Sequence, residues 1–101
     1  MKDRNEIEMT CGLCGRGFVR NGLTKHHCLP REKGGTHEDV ELLCPQCHGM
    51  IHATYTNRTL ATLYPTLEQL RQAPELVGYL KWVRKQPASR RTRNAPRRRK
   101  I

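Results

Sequence analysis

No stretch of the chain approaches the roughly 18 consecutive apolar residues that a bilayer span requires, and the opening MKDRNEIEMT lacks the apolar core of a secretory signal. No membrane partner is therefore expected, and the expected setting is reducing and cytoplasmic. Aromatic residues are also scarce: one Trp, three Tyr and one Phe in 101 residues, with a hydrophobic share of 36%. Such a chain can build one modest core, and small scaffolds of this kind usually need a disulfide or a metal besides. Acid is missing from the last 15 residues, where Arg90, Arg91, Arg93, Arg97, Arg98, Arg99 and Lys100 stand unopposed. A run of that kind, broken by Pro87 and Pro96, buries no core and is expected to be a disordered tail that binds phosphate.

What the sequence does have is sulfur and imidazole in a pattern. Five cysteines are an odd count, which disfavours a pure disulfide set, and four of them form two C-x-x-C pairs, Cys11/Cys14 and Cys44/Cys47. In a reducing setting such pairs are read as metal sites first. Four thiolates so arranged enclose one tetrahedral Zn²⁺ with no open position, which makes the ion structural. Cys28 is left over, either as a small buried residue, a free thiol or an alternative ligand.

Around these pairs the chain alternates short strand signals with loops. Residues 1–10 read as a loose lead-in. Phe18 and Val19 begin a strand, Asn21-Gly22 supplies a hairpin turn, and residues 23–29 form the returning strand. Pro45 suits the first turn of a helix, which should run to about Tyr55. Thr66 and Gln69 form a capping box, and Leu76, Leu80 and Val83 give residues 75–86 an amphipathic face with Trp82 as a partial anchor.

The histidines fit this frame. His48 and His52 are four residues apart on the expected helix, hence on one face, and that helix starts at the second cysteine pair. A third nitrogen from the strand would complete a metal site with open positions. Either His26 or His27 can supply it, since strand neighbours point to opposite faces. The other remains a titrating imidazole suited to general-base work. His37 reads as a polar loop residue.

The order C-x-x-C, His26-His27, Gly34-Gly35, then Asp39-Val40-Glu41-Leu42-Leu43-Cys44-Pro45-Gln46-Cys47-His48 and His52 resembles the zinc-bearing form of the HNH endonuclease family, the ββα-metal nucleases. The resemblance covers about residues 11–55. It implies a small α+β fold: a ββα-metal, treble-clef-like core with a structural zinc knuckle at residues 11–56, then a helical extension at 57–86 and the basic tail at 87–101. It further implies that His27 is the general base, that His26, His48 and His52 hold one catalytic divalent ion, and that Asp39 stands where the family usually has Asn to orient the base. An aspartate there would raise the pKa of the base and move activity to higher pH, or act through its backbone.

The implied reaction is hydrolysis of DNA phosphodiester bonds, one strand per event. Arg16, Arg20, Lys25 and the tail residues Arg90 to Lys100 are expected on neighbouring phosphates. Three imidazoles suit Mn²⁺, Co²⁺, Ni²⁺ or Zn²⁺ at least as well as Mg²⁺. The chain is expected to act as a monomer or weak dimer in a bacterial or host cytoplasm, with a larger nuclease or packaging assembly as a conceivable partner. The competing expectation is a zinc-stabilised nucleic-acid-binding module without catalysis.

Overall fold

In a computed structural model the described residues are 8–19, 22–28, 34, 40–88 and 100–101. They form two antiparallel hairpins followed by four helices. Strand β1 (Glu8–Thr10) pairs with β2 (Gly17–Val19), and β3 (Thr24–His27) pairs with β4 (Val40–Leu43). Helix α1 (Pro45–Thr54) follows directly, then α2 (Asn57–Leu63), α3 (Leu67–Arg71) and α4 (Pro74–Val83).

The pairing differs from the hairpin expected across Asn21-Gly22. Phe18 lies opposite Met9, not opposite the β3 residues, so part of the expected lead-in is a strand. The reason is the turn between β1 and β2, which is the first cysteine pair itself. Within it the Leu13 and Cys14 amides donate to Cys11 Sγ at 3.4 and 3.5 Å, and the Gly15 amide donates to the Cys11 carbonyl at 2.9 Å. Gly15 sits at φ 80°, a conformation that a Cβ disfavours, so glycine is required where the chain leaves the knuckle. Its neighbour Gly12 donates to the Leu42 carbonyl at 2.9 Å and lets Leu67 approach to a point a Cβ would occupy. This contact docks the first hairpin against β4.

Helix α1 begins as expected at Pro45. Its cap is Cys44, whose Sγ accepts from the Cys47 amide at 3.4 Å. The second knuckle and the helix start are thus one structure. Thr66 caps α3 by accepting from the Gln69 amide at 3.3 Å, while its hydroxyl donates to Gln69 Oε1 at 3.0 Å. The Gln69 side chain therefore meets the cap at its hydroxyl.

The core is continuous from the cysteine knuckles to the helices. Leu13, Leu43, Ile51, Tyr55, Leu60, Leu70, Leu76, Leu80 and Val83 are buried with Cys11, Cys14, Cys44 and Cys47. Trp82 is 39% exposed, a partial anchor whose ring lies tilted against that of Tyr79 with centroids 6.2 Å apart. Arg71 ties α3 to the first knuckle by donating to the Gly12 carbonyl at 2.8 Å. Among the described residues no helix is long and apolar enough to cross a membrane.

Candidate functional site

Two groups of metal-ligating side chains converge, and they share helix α1. The first is Cys11, Cys14, Cys44 and Cys47, all buried, with their sulfurs within 4.8 Å of one another. Contacts with the other three thiols, Cys11 first, hold Cys14 well below the usual thiol range, while the same kind of contact pushes Cys47 up. Four buried thiols so placed cannot all shed their protons against one another. A divalent cation removes that conflict, so this donor set fits a structural zinc.

Arg16 answers part of the same charge. Its Nε donates to Cys14 Sγ at 3.3 Å, one terminal nitrogen donates to Cys44 Sγ at 3.5 Å, and the other donates to the Gln86 and Pro87 carbonyls at 3.4 and 3.1 Å. The guanidinium expected on a DNA phosphate is therefore engaged by the thiolates and by the end of the helical extension, because two residues after Cys14 the chain still runs beside the sulfurs. Tyr79 on α4 adds a hydroxyl donated to Cys47 Sγ at 3.2 Å.

The second group is His26, His48 and His52, whose ligating nitrogens also lie within 4.8 Å of one another. The three rings pack edge to face or tilted, with centroids 5.3, 5.5 and 4.9 Å apart. His48 and His52 come from one face of α1. His26 comes from β3, where it faces the helix and is 1% exposed. Burial, then the neighbouring His48 and His52, push its pKa down to about 4, and burial lowers His48 and His52 as well. These imidazoles are thereby held neutral, the form that ligates.

Both ring nitrogens of His26 are buried without a hydrogen-bond partner. Unmade bonds of that kind cost free energy unless something else satisfies them. A divalent ion among the three imidazoles would take up one of the two. The residues present thus fit a second metal, and they select His26, not His27, as the strand's contribution.

Thr24, two residues before His26 and hence on the same strand face, places its Oγ1 2.7 Å from His48 Nδ1 and 3.1 Å from the Leu43 carbonyl. Sequence reading did not single it out, although the strand alternation that separates His26 from His27 also aligns Thr24 with His26. Tyr79 was missed for a plainer reason: it is 32 residues from Cys47, with no local signal linking them.

His27 is partly buried and lies opposite Val40 at the end of the β3–β4 ladder. Asp39 lies outside the described residues. Cys28 is buried in the core and belongs to neither ligand group. Lys25 and Lys100 are exposed, whereas Arg20, Arg90, Arg91, Arg93, Arg97, Arg98 and Arg99 lie outside the described residues. Lys100 is held near the site by its neighbour: the Ile101 amide donates to the Thr54 carbonyl at 2.9 Å, and the Thr56 amide donates to the Ile101 carbonyl at 2.8 Å.

Comparison with known proteins agrees with this geometry. The chain is 48% identical over 82 residues to the uncharacterized protein YisB of Bacillus subtilis (strain 168), covering 81% of this chain and 80% of the relative. No solved structure matches significantly. The family model described as HNH endonuclease matches residues 11–54, a span that opens on the first knuckle and closes at the end of α1, enclosing both ligand groups. With the strand and helix histidines converged beside a four-cysteine zinc site, the chain belongs to the HNH endonuclease family of metal-dependent nucleases.

Proposed function

We propose that the protein hydrolyses DNA phosphodiester bonds one strand at a time, with His27 as general base and one divalent ion on His26, His48 and His52. The observation that carries this reading is the buried His26 ring, unpartnered at both nitrogens and brought within 4.8 Å of the His48 and His52 ligand atoms.

The division of labour follows from the strand. His26 is turned inward to the helix, and its neighbour His27 projects from the opposite face, partly open to solvent. An imidazole there can take a proton from the attacking water. A bound divalent ion supplies charge stabilisation at the phosphate and at the leaving oxygen. Lys25, on the strand beside the two histidines, and Lys100 bind neighbouring phosphates, with the tail arginines extending the same attraction. The family's products are 5′-phosphate and 3′-hydroxyl ends. Asp39 orients His27 in this reading, directly or through its backbone.

A single base and a single ion cut one strand per encounter, so a monomer nicks and a double-strand break takes two events or a weak dimer. Thiols that must stay reduced to hold zinc support a cytoplasmic setting.

The test is cleavage of supercoiled plasmid with Mn²⁺ or Ni²⁺, comparing wild type with His27→Ala. Wild type should yield nicked circles before linear product. His27→Ala should retain the metal-induced rise in Tm and lose about 100-fold or more in cleavage rate, the scale of general-base removal. Equal cleavage by both proteins would remove His27 as base, and absence of cleavage by both would leave a zinc-stabilised DNA-binding module.

A further inference from the structure

The hydroxyl of Thr24 stands between a backbone carbonyl and a metal-site imidazole, and it has one proton to give. The Leu43 carbonyl, 3.1 Å away, can only accept. If the hydroxyl gave its proton to His48 Nδ1 instead, the Leu43 oxygen would face an oxygen lone pair. With the proton on the Leu43 side, Oγ1 keeps a lone pair for an N–H at Nδ1, 2.7 Å away. Only this second arrangement satisfies all three groups.

From this geometry we infer that Thr24 is a positioning residue for the metal site: it fixes His48 as the Nδ1–H tautomer and so commits Nε2 to the ion. The inference rests on the three-histidine site described above and adds the element that orients it. In solution a free imidazole carries its proton on either nitrogen, and a ligand in the wrong tautomer must exchange before it can bind. Thr24 removes that step. Its own backbone is fixed by the β3–β4 ladder, in which Thr24 and Leu43 are register partners. Ladder, hydroxyl and imidazole are thus linked in series, and the strand that contributes His26 also sets the ring of His48. Partners of this kind behind a ligating histidine commonly change metal affinity by roughly 10–100-fold.

Thr24→Val preserves the β-branched shape and removes the hydroxyl, whereas Thr24→Ser keeps the hydroxyl. Both are prepared with one zinc per chain at the cysteine site, and Ni²⁺ is titrated calorimetrically into the histidine site. Thr24→Val should bind Ni²⁺ about 10–100-fold more weakly than wild type, with Thr24→Ser restoring most of the loss. Nitrogen-15 imidazole spectra of the same zinc-loaded proteins, without Ni²⁺, should show His48 as Nδ1–H in wild type and Thr24→Ser and as a mixture in Thr24→Val. A purely structural role for Thr24 would not move that signature. Wild-type Ni²⁺ affinity in Thr24→Val, or an Nε2–H tautomer of His48 in wild type, overturns the inference. Neither readout involves cleavage: an ion-binding protein that cuts no DNA defeats the nuclease reading and leaves this one standing, and a Thr24→Val protein that binds Ni²⁺ normally does the reverse.

Discussion

Replacing His26 by leucine should make the protein more stable without its catalytic ion and indifferent to that ion when it is added. The ring is 1% exposed and has two unpartnered nitrogens. Each such buried polar atom costs about 1–3 kcal/mol, and an apolar side chain of similar volume escapes both penalties. A gain of about 2 kcal/mol or more is expected, which for a domain near 100 residues raises Tm by roughly 10 °C. Adding Ni²⁺ at 100 times its dissociation constant stabilises wild type by about 2.7 kcal/mol. His26→Leu, left with only the His48/His52 pair, should lose most of that response. The two proteins therefore exchange rank, or draw level, as Ni²⁺ is added. The assay is thermal unfolding of zinc-loaded protein, with one zinc per chain verified before and after. A His26→Leu protein less stable than wild type without Ni²⁺, or one retaining the full metal-induced shift, would refute the argument that His26 is buried for the sake of a ligand.

Two further outcomes concern the His26 ring and the cysteine site. Burial lowers the His26 pKa from 6.5 to about 4, so between those values the unfolded chain takes up a proton that the folded chain refuses. The sign is that stability falls as pH drops from about 6.5 towards 4, by at most about 3 kcal/mol from this residue. The urea midpoint of wild type relative to His26→Leu, measured without Ni²⁺ at pH 7.5 and pH 4.5, isolates that contribution, and an unchanged difference would dismiss it. At the zinc site, Arg16→Leu removes donors to Cys14 Sγ and Cys44 Sγ. It should weaken zinc retention against a chromogenic chelator by about 10–100-fold, and wild-type retention would relegate Arg16 to surface charge.

The parts of the molecule legible in its sequence are those fixed by local spacing. Two C-x-x-C pairs and histidines at i, i+4 predict ligand groups because three or four residues of backbone determine where such side chains go, and Pro45 marks the start of α1 for the same reason. Long-range pairing was less legible. Asn21-Gly22 is a strong turn signal on its own, yet the β1–β2 turn is made by Cys11 to Arg16, where sulfur accepts the amides that a common hairpin loop would leave to water. The role of Arg16 was hidden for a related reason. A basic residue near a basic tail suggests phosphate, and only the fold shows that sulfur and the carbonyls of residues 86 and 87 reach it first.

Cys44 explains why so small a chain carries two metal sites on one helix. As the cap of α1 it holds the helix start through a sulfur–amide bond, and as a zinc ligand it ties that start to Cys11 and Cys14 on the other hairpin. His48 and His52 lie one and two turns further on, so their direction is inherited from the zinc knuckle. A ten-residue helix has little intrinsic stability in water. Burial of Cys47, Ile51 and Thr54 fixes which side faces the core. The knuckle fixes where the helix begins. Loss of zinc should therefore disturb the histidine site without touching a histidine, because the ring of His48 meets Thr24 only when α1 starts at the position that Cys44 sets.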